Sequence, residues 1–283
     1  MIVYLNGEFL PLSEARVSVL DRGFIFADGV YEVIPVYGSR IFRLQEHLQR
    51  LENSLAAIKL NNPLTQQQWI ETLESLVVRN QGDEQSDQSV YLQVTRGPAK
   101  RDHNFPEQVK PTVFIMSEPL QTKPPSSGVK AITRPDMRWQ RCDIKSIALL
   151  ANVLQRREAI EMGAAEAILI RDSYMMEGAA SNVFIVVDGV AITPPKSQFI
   201  LPGITRDLIL EAMQAAQLFC READIPESQL RTADEIWITS STREILPVIM
   251  LDDKPVGNGK PGSVWSQVFK IYQDYKQKLR AHA

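Results

Sequence analysis

The stretch Ser117–Gly128, Ser-Glu-Pro-Leu-Gln-Thr-Lys-Pro-Pro-Ser-Ser-Gly, constrains the architecture more than any other part of this chain. Its proline, serine and glycine content marks it as a linker, because such residues interrupt both helical and strand periodicity. At 283 residues the chain has room for one large domain or two smaller ones, and the linker favours two. The reading is a smaller N-terminal domain over 1–118, a connection at 119–128 and a larger C-terminal domain over 129–283.

The N-terminal side opens on a predicted hairpin: Ile2–Leu5 and Glu8–Leu10 flank Asn6-Gly7, a pair that tolerates the positive φ angles of a tight turn. Gly29–Tyr37 alternates as a strand does, with Tyr31, Val33 and Tyr37 on one face and Val30, Ile34 and Val36 on the other. Pro35 points to an edge or bulged position. Helices are predicted at 45–59, from the spacing of Leu48, Leu51, Leu55 and Ile58, and at 65–80, with strands at 89–95 and 112–116. Beyond the linker, strands are predicted at 129–134, 166–171, 183–187, 190–193 and 235–239. Helices are predicted near 146–162 and 206–223 and from about 264 onward. Strand clusters mixed with helices predict an α+β fold over a doubly wound parallel sheet.

Composition excludes several classes of function. The 44% hydrophobic and 23% charged content is that of an ordinary soluble globular protein. A formal net charge of −3 leaves no electrostatic footprint for nucleic acid or an anionic membrane. Cys142 and Cys220 lack metal-ligand spacing, and His47, His103 and His282 are too few for a histidine-rich centre, so no metal is expected. No basic segment leads into an apolar core at the N-terminus, and no uncharged apolar run approaches the ~20 residues of a membrane helix. The expected location is a reducing cytoplasm.

Several segments could carry chemistry. Lys145 lies in Arg-Cys-Asp-Ile-Lys-Ser-Ile-Ala-Leu-Leu, just before the predicted helix. A lysine desolvated there becomes a nucleophile; alone, it reads first as a solvated first-turn residue. In Ile200-Leu-Pro-Gly-Ile-Thr-Arg206, a Pro-Gly turn opening a helix leaves amides unpaired and aimed at an anion such as phosphate. The other reading is an ordinary turn capped by Thr205. Thr239-Ser-Ser-Thr-Arg243 ends a strand with hydroxyls that bind phosphate oxygens or close a turn. Arg50 is a third phosphate ligand or an exposed helix arginine. Arg101-Asp-His103, in a polar loop between strands, suits a carboxylate or is merely solvated. Tyr31 reads first as a packing residue, although its neighbour Glu32 is unusually polar for that strand.

Glu177 binds these fragments together. It stands between the apolar Tyr-Met-Met run and the small residues of Gly-Ala-Ala-Ser-Asn, where a carboxylate needs a cation or a strong donor as partner. A protonated pyridine nitrogen provides one. A reactive lysine, a phosphate cradle and an acid at a ring nitrogen are together the requirements of pyridoxal 5′-phosphate.

With these residues in view, the chain resembles the D-amino acid aminotransferases. These belong to the fold-type IV pyridoxal-phosphate enzymes, together with branched-chain aminotransferases and aminodeoxychorismate lyase. The resemblance rests on Asp21-Arg-Gly-Phe-Ile-Phe-Ala-Asp-Gly-Val-Tyr-Glu-Val-Ile34, His47-Leu-Gln-Arg-Leu51, Arg138-Trp-Gln-Arg-Cys-Asp-Ile-Lys-Ser146, Glu177-Gly-Ala-Ala-Ser-Asn-Val-Phe184 and Leu201-Pro-Gly-Ile-Thr-Arg206, and runs from Tyr4 to Val256. It implies a homodimer of two-domain subunits, each with a smaller α/β domain, a larger pseudo-barrel domain and the cofactor at the domain interface. Lys145 matches the Schiff-base lysine, and Glu177 the acid at the ring nitrogen. Arg50, the amides of Ile204 and Thr205, and a hydroxyl of Ser240 or Ser241 match the phosphate ligands. Leu201 matches the residue packed on the ring.

Tyr31, Arg101 and His103 match a carboxylate trap of the D-specific branch, the latter two from the partner subunit; the branched-chain and lyase relatives are not expected to carry that combination. Ala179 and Ala180 depart from the pattern, standing where close relatives often have serines. The activity implied is transamination between D-amino acids of the alanine and glutamate type and 2-oxo acids. The alternatives are a branched-chain or (R)-amine aminotransferase, or an aminodeoxychorismate lyase.

Overall fold

The computed structural model describes residues 1–81, 87–108, 110–120 and 127–281. The chain splits into two compact units, one of Met1–Gln121, Ile144–Ala148 and Lys278–Ala283, the other of Thr122–Asp143 and Leu149–Gln277. Residues 121–126 of the expected linker, and His282, lie outside the described residues.

In the first unit, β1 (Ile2–Leu5), β2 (Glu8–Pro11), β3 (Gly29–Tyr37), β4 (Arg40–Ile41), β5 (Gln88–Thr95) and β6 (Thr112–Pro119) form one antiparallel sheet in the order β2-β1-β6-β5-β3-β4. The hairpin forms as predicted, with Asn6 and Gly7 at positive φ. The sheet is joined by α1 (Arg22–Phe26), α2 (Leu44–Ala57) and α3 (Gln66–Arg79), the last opened by a capping box between Thr65 and Gln68. The alternation in β3 holds. Val30, Ile34 and Val36 enter the core with Leu48, Leu51 and Leu55 of α2, while Tyr31 and Val33 remain half-buried on the other face. Pro35 is on neither an edge strand nor a bulge: β3 lies between β5 and the two-residue β4, Pro35 stays in register with Ser89, and its carbonyl accepts from the Phe42 amide at 2.9 Å. β6 runs to Pro119, past the predicted end at 116, because each residue through Pro119 finds a partner on β5.

The second unit holds β7 (Val129–Pro135), α4 (Leu150–Glu161), β8 (Glu166–Arg171), β9 (Tyr174–Gly178), β10 (Asn182–Val187), β11 (Val190–Thr193), α5 (Ile204–Ala215), β12 (Cys220–Glu222) and β13 (Ile225–Pro226). After these come α6 (Glu227–Arg231), β14 (Glu235–Ser240), β15 (Glu244–Leu251), β16 (Lys254–Pro255) and most of α7 (Ser263–Ala281). Its sheet runs β12-β11-β10-β14-β15-β7-β8-β9-β13, with β16 beside β15. Laid flat at roughly 4.8 Å per strand, opposite ends of this order could not touch. Yet Met175 of β9, Ile168 of β8, Ile192 of β11 and Ile236 of β14 share one apolar cluster, so the sheet curls around its core. α4 covers its outside through Ala159 against Ile132 and Leu169.

Two predicted helices change their bounds. α4 begins at Leu150, not near 146, because Ser146 forms a β-bridge with Val30. α5 ends at Ala215: Gln217 turns to a φ of 56° and Cys220–Glu222 pairs in parallel with β11.

Candidate active site

Lys145 belongs to the first unit and extends the edge of β3. Its carbonyl accepts from the Tyr31 amide at 2.9 Å, its own amide donates to Ser54 Oγ at 3.2 Å, and the Ile147 amide donates to Gly29 O at 3.1 Å. The expected place at a helix entrance is therefore corrected: Lys145 sits in a tight turn beside β3, closed by the Ser146 amide donating to Ile144 O at 2.7 Å. Gly29 is obligatory there, since a Cβ would press into Val94 O and come within 3.0 Å of Ile147. The side chain folds over Tyr31, placing Nζ 4.1 Å from the ring centroid. Tyr31 in turn stacks on Tyr91 at 5.8 Å. Lys145 and Tyr31 are thus brought together.

One residue along β3 the chain faces the opposite way, and Glu32 is fully buried under α2. Arg50 grips it with Nε and Nη2 at 2.8 and 2.7 Å, and His47 Nδ1 lies 2.8 Å from the second oxygen. An ionised carboxylate only accepts, so His47 donates through Nδ1. Burial opposes ionisation of Glu32, but Arg50 first and then His47 outweigh it and bring its pKa down to about 2. Burial keeps His47 neutral, with its pKa lowered, and among the described residues Nε2 finds no hydrogen-bond partner. Arg50 is only 6% exposed, so the exposed alternative for it is excluded.

Arg101 and His103 are exposed between β5 and β6 and gather on Phe26, with the guanidinium 5.4 Å and the imidazole 5.4 Å from that ring. The buried Arg22 fastens their loop, donating to Asp102 O at 2.6 Å while Asp28 holds its Nε at 2.8 Å.

In the second unit Glu177 lies near the end of β9 and is 4% exposed. It accepts from Arg138 Nη1, from Asn182 Nδ2 at 2.9 Å and from the Leu201 amide at 3.1 Å. Asn182 also donates to Leu201 O at 2.9 Å, so the acid and the segment before α5 form one block. Asp136 holds Arg138 from behind through Nε and Nη2, each at 2.9 Å. Burial nevertheless dominates and pushes the Glu177 carboxyl up to about 7, against the pull of Arg138.

α5 starts immediately beyond. Gly203 is its N-cap with no side-chain bond to the helix amides, and among the described residues the buried Thr205 Oγ1 finds no hydrogen-bond partner. Thr205 therefore does not cap the turn, and the amides of Ile204 and Thr205 open the helix. A Cβ at Gly203 would overlap Asn182 Oδ1. Ser240 closes β14, its Oγ accepting from the Arg243 amide at 3.3 Å, and Ser241 follows in the turn, both half-buried. An uncapped helix start with an orphaned buried hydroxyl fits a phosphate group.

A model of the family described as amino-transferase class IV matches residues 29–250. The chain belongs to amino-transferase class IV. Similar relatives of this class IV chain include the D-alanine aminotransferase of Bacillus licheniformis, 42% identical over 276 residues, or 97% of this chain and 96% of that protein. The D-alanine aminotransferase of Staphylococcus aureus strain MW2 is 38% identical over 276 residues, or 96% and 97%. Among solved structures, the branched-chain amino acid aminotransferase from Escherichia coli matches with a TM-score of 0.87 at 27% identity, covering 96% of this chain and 92% of that one. The T.th. branched-chain amino acid aminotransferase complexed with N-(5′-phosphopyridoxyl)-L-glutamate matches with a TM-score of 0.89 at 26% identity, covering 98% and 94%. The fold-type IV, α+β expectation is borne out.

Asp136, Arg138 and Asn182 are not among the expected site residues, because their roles depend on contacts no spacing reveals. A signal existed for Arg138: it opens the same motif as Lys145.

Proposed function

We propose that this chain is a pyridoxal 5′-phosphate-dependent aminotransferase that moves the amino group between D-amino acids, of the D-alanine and D-glutamate type, and 2-oxo acids. The observation that carries the reading is the match to D-alanine aminotransferases, among them one 42% identical across 97% of the chain. The buried acid Glu177 and the phosphate-ready start of α5 support it. The same reading divides the chain into domains of residues 1–118 and 129–283, makes the working form a cytoplasmic homodimer, and lets the exposed Arg101 and His103 serve the partner subunit.

When bound, the cofactor supplies an aldehyde that takes up amines and a pyridine ring that draws electrons from the substrate's α-carbon. Lys145 holds that aldehyde at rest. When free, its Nζ would take the substrate's α-proton as base and return it as acid. The segment paired with β3 keeps its backbone fixed while the side chain swings. Glu177 keeps a proton on the ring nitrogen, and Arg138 backs the acid's charge. By the same resemblance Arg50, the amides of Ile204 and Thr205, and Ser240 or Ser241 would hold the phosphate, and Leu201 would serve the ring. Tyr31, Arg101 and His103 fix the substrate carboxylate, which sets the enantiomer presented to Lys145.

The test is the visible spectrum of the purified protein with D-alanine and, separately, L-leucine. Loss of the cofactor band with D-alanine alone, restored by 2-oxoglutarate, is expected. A response to L-leucine and not to D-alanine would place the activity in the branched-chain group.

A further inference from the structure

Glu166, at the start of β8, has no part in the chemistry above, yet it is fully buried. Its Oε2 accepts from Ser181 Oγ at 2.9 Å and from Arg243 Nη1 at 3.3 Å, and its Oε1 from the Ala167 amide at 3.1 Å. Arg156 brings a second guanidinium to 3.8 Å.

Ser181 and Arg243 belong to different turns. Ser181 lies between β9 and β10, in the turn that follows Glu177, where the Gly178 amide donates to Ser181 O at 2.7 Å. Arg243 lies between β14 and β15, and its amide donates to Ser240 Oγ. The Arg243 guanidinium also donates to Ala165 O at 3.2 Å, so it reaches from its own turn to the start of β8. Gly178 makes the convergence possible. A Cβ there would overlap Ser181 Oγ and stand 3.0 Å from Glu166 Cγ.

Stability alone does not call for this arrangement. Well-packed apolar residues of similar volume serve a core as well as a buried ion pair does. What the carboxylate adds is a shared acceptor that fixes one turn against the other. We propose that Glu166 is a positioning residue: by bridging the turn after Glu177 to the turn after Ser240, it sets the spacing between the acid that meets the cofactor's ring nitrogen and the hydroxyls that meet its phosphate. This rests on the cofactor reading above. Ring nitrogen and phosphate are carried on one rigid aromatic frame, so both ends bind together only when their holders are spaced in advance.

The experiment uses full-length apoprotein in the wild-type, Glu166→Gln and Ser181→Ala forms. Each is titrated calorimetrically with pyridoxamine 5′-phosphate, which cannot bond to Lys145, and with inorganic phosphate alone. Glu166→Gln should weaken pyridoxamine 5′-phosphate about ten- to a hundredfold, the scale of a lost charged hydrogen bond, and phosphate by less than about threefold. Ser181→Ala cuts one arm of the bridge, should show the same pattern at smaller size, and decides the matter if Glu166→Gln does not fold. Equal losses for both ligands, or unchanged pyridoxamine 5′-phosphate affinity in the folded variants, overturn the positioning role. A wild-type apoprotein that binds neither ligand overturns the cofactor reading itself.

Discussion

Arg138 donates to Glu177 with one arm of its guanidinium while Asp136 occupies the other, so the acid meets a cation whose charge is already shared. This explains why a buried carboxylate beside an arginine is raised and not lowered: burial outweighs a partly neutralised partner. Between pH 4.5 and about 7 the native apoprotein keeps a proton at Glu177 that the unfolded chain has released. Stability from this group therefore falls as pH rises through that window, by about 3 kcal/mol. Glu177→Gln abolishes the titration. Urea unfolding from pH 4.5 to 8 should show the variant gaining on wild type by about that amount, whereas a flat difference would disprove the assignment.

Glu32 should behave with the opposite sign. Arg50 and His47 hold its carboxyl down to about 2, so its contribution is complete above pH 4.5 and is lost as pH falls towards 2. Below pH 6.5 the unfolded chain also protonates a histidine that stays neutral at position 47, which adds to the acid-side loss. At pH 7, Glu32→Gln leaves Arg50 buried without its carboxylate and should cost about 3–5 kcal/mol. The cost should shrink as the pH is lowered through 4.5; a deficit that stays constant down to pH 2 would contradict this account.

The legible and illegible parts of this molecule differ in how far apart the deciding contacts lie along the chain. The face of β3 was readable because two-residue alternation is local, and it correctly put Tyr31 opposite Val30 and Ile34. The setting of Lys145 was not readable. Ile147 and Leu149 continue the apolar pattern of α4, while Ser146 is claimed by Val30, a partner remote in sequence. The same reason hid the end of α5, where Leu218 and Phe219 extend the helical pattern into a segment that β11 captures. β9 is not predicted by the sequence because Glu177 breaks the expected apolar signal. Its hairpin with β8 turns on Asp172 and Ser173, both at positive φ.

Arg101 tests the carboxylate trap. It is exposed and rests on Phe26, so its loss should leave the fold intact. Removing a charged hydrogen bond to a carboxylate costs roughly 1.5–3 kcal/mol. Arg101→Ala should therefore raise KM for D-alanine about ten- to a hundredfold while cofactor content, read from the visible band, stays at the wild-type level. Unchanged kinetics would remove Arg101 from the site.

Gly203 joins backbone geometry to the acid. An added Cβ would overlap Asn182 Oδ1, and Asn182 is the residue whose amide ties Glu177 to Leu201 O. The crowding cannot be relieved by moving Asn182 without breaking both bonds. Overpacking of this kind costs about 1–3 kcal/mol. Gly203→Ala should lower thermal stability on that scale and also weaken cofactor retention on dialysis, because the start of α5 and the Glu177 block shift together. Gly189→Ala is the control. Gly189 has a positive φ, of 76°, but a Cβ there meets nothing within 4 Å. It should lose stability through backbone strain and keep its cofactor. Equal cofactor loss in both variants would show that Asn182 is not the link.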